Sequence, residues 1–161
     1  MSDAAARDEL IALLRQGSLA FNDWRLAHPE AVVDLAGASL VGLALEKVFL
    51  SGANLAGADF GRAGLVEAVF SGANLTGARF DGADLRGAIF GPPELVDAKI
   101  ALSPLGKRIM WGADLDGAVF TGARLDGTSF RECRLGNVDF RGCDVSTLDL
   151  RHTSLDEALV D

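Results

Sequence analysis

Few residues in this chain have side chains suited to catalysis or metal binding, and they lie far apart. The two histidines are His28 and His152, and the two cysteines are Cys133 and Cys143. None of them forms a cluster with metal-ligand spacing, and the sequence offers no Ser/His/Asp set. The Gly-Lys-Arg run at 106–108 lacks the earlier glycine and the following Ser or Thr of a phosphate-binding loop. These observations predict that the protein is not an enzyme and holds no cofactor or metal.

The acidic pairs Asp81/Asp84 and Asp114/Asp116 are the remaining groups with a potential for general acid–base chemistry. A catalytic pair of carboxyl groups needs a cleft that holds a substrate between them. The repeat described next places these acids on an outer, convex surface. We therefore interpret them as part of a solvated face.

A five-residue repeat orders most of the chain and is most regular over 53–90. Alanine stands two places before the central residue of each unit, and glycines cluster two places after it. A strict period of five does not match the 3.6 residues of a helical turn, so the central residues would not share a helix face. In an extended chain, residues i and i−2 point to the same side. The central residues alternate between two types: Leu55, Phe60, Leu65, Phe70, Leu75, Phe80, Leu85 and Phe90.

Each unit is therefore predicted to form one short side of a coil, followed by a corner. The alternation of Leu and Phe requires an even number of sides, and four sides give a coil of about twenty residues. Such coils must stack, because one side cannot bury its apolar face alone. The predicted inward columns are Phe60, Phe80, Ile100, Phe120 and Phe140 on one wall, and Phe70, Phe90, Met110, Phe130 and Leu150 on the opposite wall.

The run Ala-(Asn/Asp)-(Leu/Phe)-x-Gly resembles the pentapeptide repeat family, and the resemblance extends over most of the chain, from residue 33 to 155. The resemblance implies an all-β solenoid, namely a right-handed quadrilateral parallel β-helix, with about six coils at this length. Some members of the family mimic duplex DNA and bind DNA gyrase, which protects the gyrase from quinolones or other poisons. Members with this activity dimerise through their C-terminal ends.

The chain divides into three predicted regions: a helical cap over 1–32, the coils over 33–155 and a short C-terminal cap over 156–161. The N-terminal region has apolar residues at helical spacing, with acids early and an arginine late, which suits the helix dipole. The end of a solenoid exposes its core and its backbone, so it needs a lid. A partner-binding helix is the alternative interpretation. The predicted anchors of the lid are Leu10, Leu14, Phe21 and Trp24.

An irregular stretch at about 91–111 interrupts the repeat. Prolines at 92, 93 and 104 cannot donate ladder hydrogen bonds. The five-residue phase nevertheless continues through Leu95, Ile100, Leu105 and Met110, although Arg108 falls on an inward position. We favour a distorted coil that keeps its columns. The alternative is a looped-out stretch whose length happens to restore the phase.

The composition limits the partners and the location. The net charge of −8 and the pI of about 4.7 argue against direct nucleic-acid binding and permit binding to a basic protein surface. No signal peptide or membrane-spanning segment is recognisable. Both cysteines replace the small inward alanine, and the four-sided coil puts them on opposite walls. A disulfide is therefore not expected, and a reducing cytoplasm is the predicted location.

An apolar ladder is predicted on one outer wall, where polar residues are the rule elsewhere. It comprises Phe49, Val69, Ile89 and Ile109, with Trp111 beside them. Three interpretations are open: an interface, a surface covered by the N-terminal helix, or β-propensity without a further role. A second candidate contact, for a C-terminal homodimer, comprises Leu148, Leu159 and Val160.

Two functions follow from these surfaces. The first is a non-enzymatic interaction or scaffold module that binds a protein partner or a second copy of itself. The second, which the family resemblance implies, is a DNA mimic that binds DNA gyrase and protects it from poisons. Mimicry would require acids in a duplex-like array at phosphate-like spacing, and the C-terminal half intersperses five arginines among its acids: Arg124, Arg131, Arg134, Arg141 and Arg151.

Overall fold

Four columns of parallel β-bridges form the walls of a square solenoid in the computed structural model, which describes residues 3–92 and 110–161. Each side of a coil contributes one bridge, so the walls consist of isolated bridges between turns rather than extended strands. The physical reason is the repeat itself, because a corner follows every few residues. Wall 1 is Asp34, Asn54, Asn74, Asp114 and Arg134; wall 2 is Ser39, Asp59, Arg79, Val119, Asp139 and Leu159; wall 3 is Ala44, Gly64, Asp84 and Arg124; wall 4 is Phe49, Val69, Ile89, Ser129 and Asp149.

The interior is filled by the central Leu and Phe residues and by the alanines, nearly all of them fully buried. The predicted stacking of Phe60 on Phe80 is confirmed, with ring centroids 5.0 Å apart and nearly parallel rings. Phe70 and Phe90 stack in the same way at 4.8 Å in a second column. Rings of the two columns meet edge to face, as Phe70 and Phe80 do at 5.7 Å. Both arrangements are favourable for aromatic quadrupoles, so the phenylalanines stabilise the axis by more than their buried area alone.

The prediction of a distorted coil at 91–111 is wrong. Phe80 stacks directly on Phe120 at 4.7 Å, which leaves no room for a residue between them. The bridges confirm this register, because Asn74 pairs with Asp114 and not with a residue twenty positions later. The predicted column member Ile100 lies outside the described residues, and Met110 is 49% exposed rather than in a column.

The looped-out alternative is therefore correct for the register of the coils. The amide of Ala113 donates to the carbonyl of Phe90 at 2.9 Å, the same bond that Ala73 makes to Phe70 in the preceding coil. The chain leaves and rejoins the solenoid through Gly91 and Gly112. A Cβ atom on either glycine would overlap the backbone of Arg131 or Glu132, so glycine is needed at both positions for close approach.

Two helices precede the coils: α1, Asp3–Arg15, and α2, Ser18–Ala27. Three of the four predicted anchors, Leu10, Leu14 and Phe21, are buried in the same apolar cluster as the coils, and Trp24 packs against that cluster, partly buried. No helix within the described residues is long and apolar enough to cross a membrane.

Hydrogen bonds join α2 to the first coil. The buried Arg25 donates through Nη1 to the carbonyl of Ala31 at 3.0 Å and through Nη2 to that of Ser51 at 2.9 Å. Asn22 donates to the carbonyl of Lys47 and accepts from the amide of Phe49. Two of these backbone groups, the Ser51 carbonyl and the Phe49 amide, are ones that a further coil would otherwise pair.

Candidate interaction surfaces

Phe49, Val69 and Ile89 form three successive rungs of wall 4, and we call this set the apolar wall. The Phe49 side chain is 39% exposed, and the other two are half-buried. The predicted fourth member, Ile109, lies outside the described residues, and Ser129 occupies the rung after Ile89. The wall is therefore apolar in its N-terminal part and polar beyond Ile89.

Two large apolar side chains lie where the chain rejoins the solenoid. Trp111 is 70% exposed and Met110 is 49% exposed. Gly112, the residue that follows, lies against the backbone of Glu132 and Cys133. This contact places Trp111 at the corner that ends wall 4, the wall to which the sequence assigned it.

The N-terminal helices do not cover the apolar wall. Asn22 reaches the backbone of Phe49 from α2, yet the Phe49 ring keeps its exposure in the presence of both helices. The hydrogen bonds from α2 to the coils fall on the first coil, at Lys47, Phe49 and Ser51. The helices lie at the end of the solenoid, so intramolecular cover of the wall is not what the structure shows.

The residues of the candidate C-terminal contact differ from one another in exposure. Leu148 is partly buried and packs against the core. Leu159 and Val160 are 50% and 47% exposed, although the Leu159 backbone is paired with wall 2. The two exposed side chains form an apolar edge beside the last coil.

Carboxylates on the outer walls are held by arginines two residues further along the chain. Asp139 accepts from Nε and Nη2 of Arg141 at 2.9 and 2.7 Å, and Asp149 accepts from the same atoms of Arg151 at 2.9 and 2.7 Å. These side-chain hydrogen bonds hold the pKa values of both Asp139 and Asp149 down to about 2. The Asp-x-Arg spacing is visible in the sequence, but its pairing was not predicted.

The same arrangement recurs at Asp84, whose carboxylate is bound by Arg86 at 2.8 and 2.7 Å. The hydrogen bonds from Arg86 lower the pKa of Asp84. Asp81 pairs with Arg79 at 3.1 Å. The candidate acidic pair Asp81/Asp84 is thus two separate ion pairs, which suits the interpretation as a solvated face.

The cysteines have the environment of core residues. Burial raises the pKa of the Cys133 thiol to about 12 and also raises that of Cys143, so neither thiol is activated as a nucleophile. Both are free thiols. Within 3–92 and 110–161, no three His, Cys, Asp or Glu side chains form a group that could hold a metal ion.

An open groove of about 490 Å³ separates residues 133–137 from residues 152–157. Asp116, Asp156 and Glu157 line it, together with Arg134 and His152. This groove was not predicted, because residues 152–155 continue the five-residue spacing of the coils.

Comparison with known families and structures agrees with this architecture. One family model, described as pentapeptide repeats (8 copies), matches residues 34–63 and 53–91, and a second, described as pentapeptide repeats (9 copies), matches residues 111–154. A search of curated proteins gave no significant match.

Solved structures of similar fold include the pentapeptide repeat protein Rfr23 from the cyanobacterium Cyanothece 51142, at 18% identity and a TM-score of 0.56, covering 89% of this chain and 99% of that one. A pentapeptide repeat protein from the thylakoid lumen of Arabidopsis thaliana is 29% identical, with a TM-score of 0.47, covering 77% of this chain and 69% of that one. QnrB1, a plasmid-mediated fluoroquinolone resistance protein, is 17% identical, with a TM-score of 0.29, covering 80% and 68%. The likeness to Rfr23 supports the fold alone.

Proposed function

Because this chain belongs to the pentapeptide repeat family, we propose that it is a non-enzymatic interaction module whose outer surface binds another protein. The interior is filled with side chains, so a ligand has access only to the walls and ends. A rigid square rod presents its outer side chains at a fixed spacing of roughly 4.8 Å per coil. Such a surface suits recognition of a macromolecule rather than chemistry on a small substrate.

The observation that supports this proposal best is the apolar wall with Trp111 at its edge. Apolar side chains occupy three successive rungs, and a largely exposed tryptophan lies at the corner that ends this wall. Surfaces of this kind usually mark contact sites, and tryptophan is frequent among residues that dominate binding energy. Walls 2 and 3 carry arginine-bound carboxylates, at Asp139 and Asp84, and do not present such a surface.

The test is a pair of charge substitutions on one wall. Val69→Asp with Ile89→Asp should keep the circular dichroism spectrum and abolish binding of the partner recovered by affinity capture. Ser129→Asp, on the next rung of the same wall, is the control and should keep both. If both variants lost partner binding equally, or both kept it equally, the assignment of the interface to the apolar wall would be contradicted.

Gyrase protection by DNA mimicry is the alternative function. It would require an array of uncompensated acids at phosphate-like spacing. Arginines bind Asp84, Asp139 and Asp149 with two short hydrogen bonds each. This pairing reduces the negative potential of the walls and favours the interaction module. Inhibition of gyrase supercoiling at micromolar protein would reverse the preference.

The two ends of the rod would have different roles. We propose that α1 and α2 act as the cap of the first coil, because Arg25 and Asn22 bond its backbone. At the other end, Leu148, Leu159 and Val160 are proposed as a contact for a second copy. Leu159→Asp with Val160→Asp should then yield a monomer in sedimentation equilibrium. The double substitution on the apolar wall should leave that equilibrium unchanged if the dimer forms at the C-terminal contact.

The two free cysteines suit a reducing compartment such as the cytoplasm, which we propose as the location. Fractionation of the source cells with an antibody against the chain tests this. Recovery in an oxidising compartment would contradict it.

A further inference from the structure

The ladder between the last two turns opens on wall 1 and is closed on both neighbouring walls. On wall 4, Phe130 donates to Asp149 at 2.9 Å, and on wall 2, Phe140 donates to Leu159 at 2.8 Å. Between those two points the chain passes residues 152–157, which lie across the groove from residues 133–137. Wall 3 also lacks the bridge that would follow Arg124, but pairing resumes at Leu159, so the opening on wall 1 lies before the chain end.

At the opening, a side-chain hydroxyl takes the place of one backbone bond of the ladder. Thr153 takes the place that alanine occupies in the regular coils, and its Oγ1 donates to the carbonyl of Cys133 at 2.6 Å. In the coil below, the equivalent carbonyl of Ala113 accepts from the amide of Arg134 at 3.2 Å. The hydroxyl of Thr153 therefore donates to the Cys133 carbonyl in place of the backbone amide of the following residue. The chain that carries this amide lies further from residues 133–137 than in a regular coil.

On the side of residues 133–137, two backbone donors are left without acceptors. One coil below, Leu115 donates to Arg134 at 3.0 Å and Gly117 donates to Gly136 at 2.7 Å. The corresponding amides of Leu135 and Asn137 make no hydrogen bond within the described parts of the chain. Two amides two residues apart on one strand edge match the carbonyls of residues i and i+2 in an added parallel strand.

The charge around the groove indicates what kind of strand would fit. Asp116 is neutralised by Arg134 at 2.8 Å. Asp156 and Glu157 also line the groove, and neither forms an ion pair within residues 3–92 and 110–161. The edge thus combines free amide donors with two uncompensated carboxylates, which complement a backbone flanked by basic side chains.

We propose that the groove between residues 133–137 and 152–157 binds an extended, basic peptide segment of a partner protein by adding it to the edge of wall 1. The peptide carbonyls accept from the amides of Leu135 and Asn137, and its Lys or Arg side chains lie near Asp156 and Glu157. This surface is distinct from the apolar wall, so either site can fail its test while the other passes.

Amide hydrogen exchange on the full-length chain tests whether the edge is free. Leu135 and Asn137 should exchange about 1,000-fold or more faster than Leu115 and Gly117, because only the latter pair has carbonyl partners. Equal protection of the two pairs would mean that the groove is closed in solution, and the proposal would be overturned. Exchange that slows with protein concentration alone would identify a second copy as the occupant and would also overturn it.

Binding is measured by ¹⁵N chemical-shift titration with two synthetic pentapeptides, acetyl-Lys-Val-Lys-Val-Lys-amide and its counterpart with glutamate in place of lysine. The basic peptide should shift the Leu135 and Asn137 amides with a dissociation constant on the order of 1 mM or lower at low salt. Asp156→Asn with Glu157→Gln should weaken binding at least fivefold. The control Asp126→Asn with Asp144→Asn makes the same change in net charge outside the groove and should have less than a twofold effect. The proposal would be refuted if both peptides bound equally well. It would also be refuted if both double variants lost the same affinity for the basic peptide.

Discussion

Removal of the segment that interrupts the repeat should leave the solenoid intact, provided that the cut is made at the correct residue. Deleting residues 92–111 joins Gly91 to Gly112 and produces the corner Phe90-Gly91-Gly112-Ala113. This corner has the pattern of Phe70-Ser71-Gly72-Ala73, in which Gly72 has φ 69°. The closing hydrogen bond, from Ala113 to Phe90 at 2.9 Å, already exists in the native protein.

The expected change in stability follows from the entropy of closing the loop. The deleted length equals the coil period from Asn54 to Asn74. Closing a loop of that length costs about 2.7 kcal/mol by the (3/2)RT ln n relation. Among the described residues that are deleted, Met110 and Trp111 are exposed, and the bond from Arg131 to the Pro92 carbonyl contributes about 1 kcal/mol. The shortened chain should therefore be as stable as the native one or about 1–2 kcal/mol more stable.

A deletion of the same length shifted by one residue provides the control. Removing residues 93–112 joins Pro92 to Ala113 and places proline at the corner where Gly72 has its positive φ. Proline is fixed near −65°, so this variant should lose about 3 kcal/mol or more. Guanidinium titration followed by circular dichroism distinguishes the two variants. A loss of more than about 3 kcal/mol in the 92–111 deletion would show that the removed segment belongs to the core and would refute the stacking argument.

Three further substitutions test the core, the cap and the ion pairs. Phe80→Ala, which removes a ring stacked on both sides, should cost about 3–5 kcal/mol in guanidinium titration, whereas the exposed neighbour Arg79→Ala should change stability by less than about 0.5 kcal/mol; similar effects would contradict the inward assignment. Arg25→Met removes the charge-assisted hydrogen bonds to the carbonyls of Ala31 and Ser51, so it should cost about 2–3 kcal/mol and expose α1 and α2 to limited proteolysis; an unchanged cleavage pattern would argue against the cap. Because the pKa of Asp139 is held down to about 2 by Arg141, the pair stabilises the fold above the ordinary carboxyl pKa near 3.8, and this contribution is lost as the pH falls through about 2. The melting temperature of Arg141→Gln should therefore lie below that of the native chain at pH 7 and converge with it below pH 2; a constant difference would refute the linkage.

The pairing of acids with arginines shows how local spacing becomes a surface property. Residues i−1 and i+1 of a unit flank an inward residue, so an Asp and an Arg at those positions both point outward. Asp84 and Arg86, for example, meet without any help from another coil. Arg134 instead reaches Asp114 and Asp116 in the coil below. The first kind of pair can be predicted from sequence, whereas the second requires the register between coils.

The five-residue period alone determined the shape of the coils, because an inward residue at every fifth position permits few other backbones. It determined which residues form the core, including the stacking of Phe60 on Phe80, and it placed Phe49, Val69 and Ile89 on one wall. The helical spacing of the N-terminal apolar residues indicated that the anchors of the lid would be buried, and Leu10, Leu14 and Phe21 are. These features depend on contacts between residues that are neighbours in the chain or one coil of about twenty residues apart.

Only the tertiary structure decided which coil stacks on which. The interruption preserves the phase of the repeat, so the sequence reads the same whether the segment forms a coil or leaves the solenoid. Hydrogen bonds between coils distinguish the two cases, and they join Asn74 to Asp114. The groove on wall 1 has the same origin, since the bond from Thr153 to Cys133 depends on which backbone carbonyl lies opposite that hydroxyl. Periodicity specifies the direction in which each side chain points, whereas pairing across coils specifies its neighbours.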